Sequence, residues 1–181
     1  GGPVFLIRAA LAATLSGLWG VYSGFELCEA TPVPGKEEYL DSEKYEIRAW
    51  DWQRPGNIVE EITQLNRIRR ENPALQSHLG IRFLPSSDDN VLVFLKTTRA
   101  AEADRLGDNV VLVAVNLDPF NPHDTGIELP LWELGLPDDS ALHAVDLVHG
   151  NRLVWHGRHQ RLWLDPFNSP YAIWRIEHQG A

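Results

Sequence analysis

Lys44 and Tyr45 stand side by side in the stretch DSEKYEIR, and their types invite chemistry. A lysine ammonium is a compact point charge that suits a phosphate. A tyrosine hydroxyl can donate to a phosphate or sugar oxygen. Taken alone, the pair reads first as a solvated loop pair. Trp50 and Trp52 follow closely. Their flat apolar rings could stack on a sugar face or anchor a loop to its core. Glu26, Glu29 and Asp41 are carboxylates of the same region. Glu26, in SGFE, fits either the rim of a site or the partner of a buried backbone group. Cys28 is the single cysteine, so there is no internal disulfide and no cysteine-based zinc site. It reads as a small buried apolar residue, in keeping with a reducing compartment such as the cytoplasm. The histidines, among them His143, His149, His156 and His159, show no tight ligand spacing, and His156-Gly-Arg-His159 reads as a solvated hairpin tip.

The chain has 16 basic and 25 acidic residues, a net charge of −9. This balance argues against a nucleic acid or an anionic membrane as partner, since phosphate surfaces favour a basic face. Hydrophobic residues make up 44% of the sequence, enough for a packed core. Residues 3–22 are the most apolar stretch, but Arg8 lies inside it and Gly17 and Gly20 interrupt it. No basic start region or small-residue cleavage site accompanies it. It therefore reads as a buried helix and strand rather than a membrane segment.

The elements that must position these groups fall into two sets. Residues 3–16 have helical spacing, with Val4, Leu6, Ile7, Leu11 and Leu15 apolar, Pro3 in the first turn and Gly17 at the end. Residues 18–26, LWGVYSGFE, are predicted to form a buried strand. Residues 27–56 form a long polar connection containing Lys44, Tyr45 and both tryptophans. A loop of that length and aromatic content reads as an ordered binding loop. Asn57 can cap a following helix, with Glu60 three residues on. Ile58, Ile62, Leu65, Ile68 and Arg69 keep one face of that helix, and Asn72-Pro73 stops it. Arg67, Arg69, Arg70 and Glu71 read as a salt-bridged helix face.

From Leu75 the pattern changes to strands: 78–84, 91–97, 110–117, 142–148, 152–156, 161–164 and 171–176, with turn signals between them. Residues 98–109 read as an exposed hairpin excursion. Seven short strands with polar breaks predict an antiparallel β-sandwich. The expected division is thus residues 1–74 as the end of an α/β structure and residues 75–181 as an all-β domain. The first part is too short to be a barrel, which takes about 250 residues. The chain also begins at Gly1 rather than Met. Both features mark it as a piece of a larger protein.

Three stretches, GVYSGFELCE, PGKEEYLDSEKYEIRAWDW and IVEEITQLNRIRRENPAL, resemble the end of the catalytic (β/α)8 TIM barrel of glycoside hydrolase family 13, the α-amylase family. VVLVAVNLDP and YAIWRIE resemble strands of the C-terminal β-sandwich that follows that barrel. KEEYLDSEKYEIRAWDW is the most specific part, and it is similar to the branch of the family that uses a phosphorylated donor. The resemblance implies a retaining glycosyltransferase that moves maltosyl units from α-maltose 1-phosphate to the non-reducing end of an α-1,4-glucan and releases phosphate. Such double displacement needs two carboxylates about 5–5.5 Å apart. The resemblance places them upstream of Gly1, so Glu26, Glu29 and Asp41 are not read as catalytic and the isolated chain is expected to be inactive. It places Lys44 and Tyr45 at the donor site as substrate-binding residues, and it implies a homodimer and no metal or cofactor. Two alternatives remain open on the sequence. One is another α-glucan enzyme of the family, such as a hydrolase, a branching enzyme or a trehalose-forming isomerase. The other is a non-catalytic glucan-binding β module.

Overall fold

The computed structural model describes residues 2–41, 47–99 and 106–178. Two helices, α1 (Gly2–Leu15) and α2 (Val59–Glu71), precede eight strands. These are β1 (Ile81–Leu84), β2 (Val91–Arg99), β3 (Leu106–Asn116), β4 (His123–Glu128), β5 (Ala141–Asp146), β6 (Arg152–His156), β7 (His159–Leu164) and β8 (Tyr171–His178). Six strands form one sheet in the order β1-β2-β3-β8-β5-β6, and β4 pairs with β7 in a two-stranded ribbon. Every pairing is antiparallel.

Period-two alternation assigns the faces of the large sheet. Val110, Leu112 and Ala114 of β3 point to a core shared with Ile127 of β4 and Leu162 and Leu164 of β7. Val111, Val113 and Val115 point the other way, into a second core with Ile7, Ala10 and Ala13 of α1 and Leu65 and Ile68 of α2. Both faces of β3 are therefore buried, which explains its unbroken VVLVAV run. Each fully buried Leu or Ile here stabilises by about 1.5–3 kcal/mol relative to exposure. The result is three layers: helices, six-stranded sheet, ribbon.

Two sequence expectations change. The buried strand over 18–26 is not a strand: Leu18 is 86% exposed and Phe25–Leu27 form one turn of 3-10 helix. No parallel strand pairing occurs among the described residues, so the expected end of a (β/α)8 barrel is absent from them and the fold seen is all-β with a helical layer. The β-sandwich itself is present, with one strand more than predicted, β4. Residues 100–105, the middle of the expected hairpin excursion, lie outside the described residues; around them β2 and β3 pair out to Arg99 and Leu106. No helix is long and apolar enough to cross a membrane among the described residues.

Arg69 departs from its expected role as a surface salt bridge. Its guanidinium donates to the carbonyls of Ala13, Ser16 at 2.9 Å, Gly17 at 2.7 Å and Leu75 at 2.9 Å. The last carbonyls of a helix lack partners within it, and here a side chain of α2 supplies them for α1. Close by, Lys96 is fully buried and donates to the carbonyls of Ser77 at 2.5 Å and Leu79 at 3.2 Å. Burial first, and the positive Arg69 second, hold its ammonium pKa below the usual lysine value.

Candidate functional site

Lys44 and Tyr45 lie outside the described residues, as does the whole of 42–46. The structure describes the frame on either side of them. On the near side, residues 31–40 fold back on themselves: Val33 N–H donates to Glu38 O at 2.7 Å and Leu40 N–H to Thr31 O at 2.7 Å. Asp41 ends this turn with a left-handed φ of 53°. On the far side, Arg48 donates to Leu40 O at 3.4 Å, so the two flanks of 42–46 are tied to each other.

Glu29 organises this frame. One of its carboxylate oxygens accepts from the Thr31 hydroxyl at 2.9 Å and the Thr31 N–H at 3.4 Å. The other accepts from Arg48 at 3.5 Å and Arg54 at 3.3 Å. The Thr31 hydroxyl, together with the two guanidinium groups, holds the Glu29 carboxyl below the usual range. Glu29 is therefore an ionised structural anchor.

Trp50 completes the anchor. The Arg48 guanidinium lies 4.3 Å from the Trp50 ring centroid, a cation–π distance. The ring also packs against Gly24, where a Cβ would come within 2.7 Å of it. Gly24 also has a φ of 95°, so glycine is required there twice over. Trp50 thus anchors the loop, while the neighbouring Trp52, at a centroid distance of 6.3 Å, is 52% exposed. Glu26 turns out to act through its main chain: its carbonyl accepts Ile58 N–H at 2.8 Å and fixes the start of α2. Its side-chain Oε2 is buried with no hydrogen-bond partner among the described residues. The N-cap of α2 is Ile58 rather than the expected Asn57; Asn57, one residue earlier, accepts Val59 N–H at 3.1 Å in a local turn. Cys28 is half-buried with a left-handed φ of 54°, and burial raises its thiol pKa.

Sequence reasoning missed Arg48, Arg54 and Thr31 as parts of the frame. Only the alternation of charge and aromatic residues in EIRAWDWQR marked them. The histidine reading also shifts: His156-Gly-Arg-His159 connects the large sheet to the ribbon, since β6 and β7 do not pair. In the β domain, Trp155 is buried against Trp174, with ring centroids 5.3 Å apart. Trp132 and Trp163 are exposed.

This architecture recurs in solved α-amylases. A maltogenic α-amylase from Thermotoga neapolitana superposes with a TM-score of 0.63 at 11% identity, over 97% of this chain and 37% of the amylase. An Anoxybacillus α-amylase gives 0.59 at 15% identity, over 98% and 33%. The fold is thus an all-β domain with helical layer of the kind found in amylases.

More narrowly, the chain belongs to the family described as "GLGE, C-terminal", whose model matches residues 83–176. Among its relatives is the alpha-1,4-glucan:maltose-1-phosphate maltosyltransferase of Pseudomonas aeruginosa, 58% identical over 100% of this chain and 26% of that protein. Another, of the same name, is from Cereibacter sphaeroides, 48% identical over 97% of this chain and 25% of that protein. The chain therefore spans about a quarter of the length of these relatives.

Proposed function

We propose that this chain is the C-terminal portion of a retaining glycosyltransferase that moves maltosyl units from α-maltose 1-phosphate to the non-reducing end of α-1,4-glucan, releasing phosphate. The observation that carries the reading is the 58% identity to a maltosyltransferase along the entire chain, the Lys44–Tyr45 loop included. In this reading residues 1–74 present a substrate-facing loop and residues 75–181 are the sandwich that supports it. The carboxylate pair that breaks and remakes the glycosidic bond lies in the upstream part of the protein.

Lys44 and Tyr45 then recognise the donor: the ammonium balances phosphate charge and the hydroxyl donates to a phosphate or sugar oxygen. The Glu29–Arg48–Arg54 frame supports this role by tying both flanks of the segment to the body of the chain. Binding contacts must be held rigidly to be worth their full strength, because a mobile segment loses conformational entropy on binding.

The test is Lys44→Ala in the full-length protein. KM for α-maltose 1-phosphate should rise by at least about tenfold, as a lost charge-assisted contact of about 1.4 kcal/mol or more implies. KM for the glucan acceptor should stay within twofold or so. Donor kinetics equal to wild type would remove Lys44 from the site, and a full-length protein that needs neither α-maltose 1-phosphate nor phosphate would remove the function.

A further inference from the structure

We propose that His123, protonated on both ring nitrogens, is a proton-held fastening for the connection between β3 and β4, and that loss of one proton releases Asp118 and opens the loop at residues 117–122. This goes beyond the glucan-extending reading and does not depend on it.

The placing of the ring carries the inference. Its Nδ1 lies 2.6 Å from Asp88 Oδ2 and its Nε2 lies 3.3 Å from Asp118 Oδ2. An ionised carboxylate only accepts, so both contacts are hydrogen bonds only when both ring nitrogens carry a proton. Asp88, with the exposed Asp89 beside it, comes from the turn before β2, and Asp118 comes from the β3–β4 connection. Asp124 is next along β4 and pairs with Arg161 of β7. Asp165 follows Leu164, the residue opposite His123 across the ribbon. The hydrogen bond to Asp88 is the main support of the charged ring; burial opposes it, and Asp118 adds to it. The fastening is complete below 6.5 and is lost as pH rises through the folded-state value.

A neutral imidazole keeps a single proton. The shorter contact holds it on Nδ1, facing Asp88, and leaves the Nε2 lone pair against Asp118. Asp118 stays ionised, lowered from 3.8 to about 2 chiefly by Asn121, so this contact turns from attraction to repulsion. The turn that carries Asp88 has its own ties to β4: Ser87 N–H donates to Gly126 O at 3.0 Å, and Gly126 N–H to Ser87 Oγ at 2.8 Å. Asp118 instead closes its own loop, accepting Phe120 N–H at 2.8 Å and the Asn121 side-chain amide at 2.9 Å. The side that yields is therefore residues 117–122.

The fold contains a twin of this loop. Asp118-Pro119-Phe120-Asn121 recurs as Asp165-Pro166-Phe167-Asn168. The second copy makes the same turn, with Asp165 accepting Phe167 N–H at 2.9 Å and the Asn168 side-chain amide at 2.6 Å. Phe120 is 75% exposed and Phe167 69%. The first aspartate meets His123, whereas the second takes these bonds from its own turn.

The test is limited chymotrypsin digestion of the full-length protein, since cleavage of a folded loop follows the population of its open form. Cleavage after Phe120 is divided by cleavage after Phe167; both are Phe–Asn bonds, so the protease's own response to pH cancels. The ratio should rise roughly fivefold or more from about pH 6 to about pH 9. His123→Gln should abolish the rise. Asp118→Asn should hold it below about twofold, because its carboxamide donates to the bare Nε2. This second variant reads the same contact independently should His123→Gln fail to fold. A constant ratio in wild type overturns the proposal, and so does a rise of wild-type size in either folded variant.

Discussion

The guanidinium of Arg48 lies 4.3 Å from the centre of the Trp50 ring while the same group reaches the Glu29 carboxylate at 3.5 Å. One side chain thus joins an aromatic anchor, an ionised carboxylate and, through Leu40 O, the opposite flank of the Lys44–Tyr45 segment. Glu29→Gln removes the charge that gathers Arg48 and Arg54 but keeps the shape. In the full-length protein it is expected to raise KM for the phosphorylated donor by about three- to tenfold, or roughly 1 kcal/mol. Maltohexaose KM serves as the control, and a uniform rise for both substrates would place the effect elsewhere.

A second prediction concerns pH. His123 at the start of β4 stands between two carboxylates, its Nδ1 2.6 Å from Asp88 Oδ2 and its Nε2 3.3 Å from Asp118 Oδ2. The hydrogen bond to Asp88 is the main reason that its pKa is raised above 6.5. Asp118, held chiefly by Asn121, is lowered from 3.8 to about 2. A raised histidine contributes stability that is fully present below 6.5 and is lost as pH rises through its folded-state value. A lowered aspartate contributes above 3.8 and loses it as pH falls toward about 2. The clamp on the ribbon is therefore strongest between these limits. Hydrogen exchange of the β4 amides should be faster in His123→Gln than in wild type at about pH 5.5, with a much smaller difference at about pH 9. Equal differences at both would show that the histidine charge plays no part.

Arg69→Met keeps an unbranched chain but strips donors from three carbonyls at the end of α1 and from that of Leu75 after α2. Leaving such groups without partners costs about 1–3 kcal/mol each when water cannot reach them. A loss of about 2–4 kcal/mol is expected from thermal unfolding, with Arg69→Lys recovering only part because one ammonium cannot replace the guanidinium fork. A loss below about 0.5 kcal/mol, the level of an ordinary surface substitution, would contradict this account.

Gly80 is tied to Thr97 by the Thr97 N–H, which donates to its carbonyl at 2.9 Å. Its φ is 69° and an added Cβ would fall on the Thr97 carbonyl oxygen. Gly80→Ala must therefore move the lead into β1 away from β2. Destabilisation of about 2 kcal/mol or more is expected, measured by denaturant unfolding. Gly135→Ala is the control: its φ is also 69° but nothing lies within 4 Å of the added carbon, so it should cost less.

The sequence made some of these elements plain and hid others for physical reasons. β6 has the predicted limits, Arg152–His156, because Gly150-Asn151 and Gly157 bound it. β4 escaped notice because HDTGIE puts only Thr125 and Ile127 inward and includes a glycine, so its alternation is faint. Residues 18–26 misled because aromatic and branched residues suggest a strand, whereas Trp19 and Phe25 pack onto the two helices, Trp19 donating to Asn66 of α2 at 3.2 Å and Phe25 lying 5.0 Å from the Phe5 ring of α1. Arg69 was legible in part: it keeps phase with Ile62, Leu65 and Ile68, which is an odd place for a solvated charge. Of the candidate site, the types Lys44, Tyr45 and Trp50 were visible in the sequence. The Glu29 frame was not, because its members are brought together by turns across 25 residues, from Glu29 to Arg54.

The double burial of β3 has a bearing on how the protein fails. If α1 and α2 lift away, Val111, Val113, Val115, Tyr171 and Ile173 are uncovered as a continuous apolar strip on adjacent strands. Such a strip is adhesive toward other partly opened chains. The helical layer therefore acts as a guard against aggregation as well as a contributor to stability, and Arg69 is the latch that keeps the guard shut.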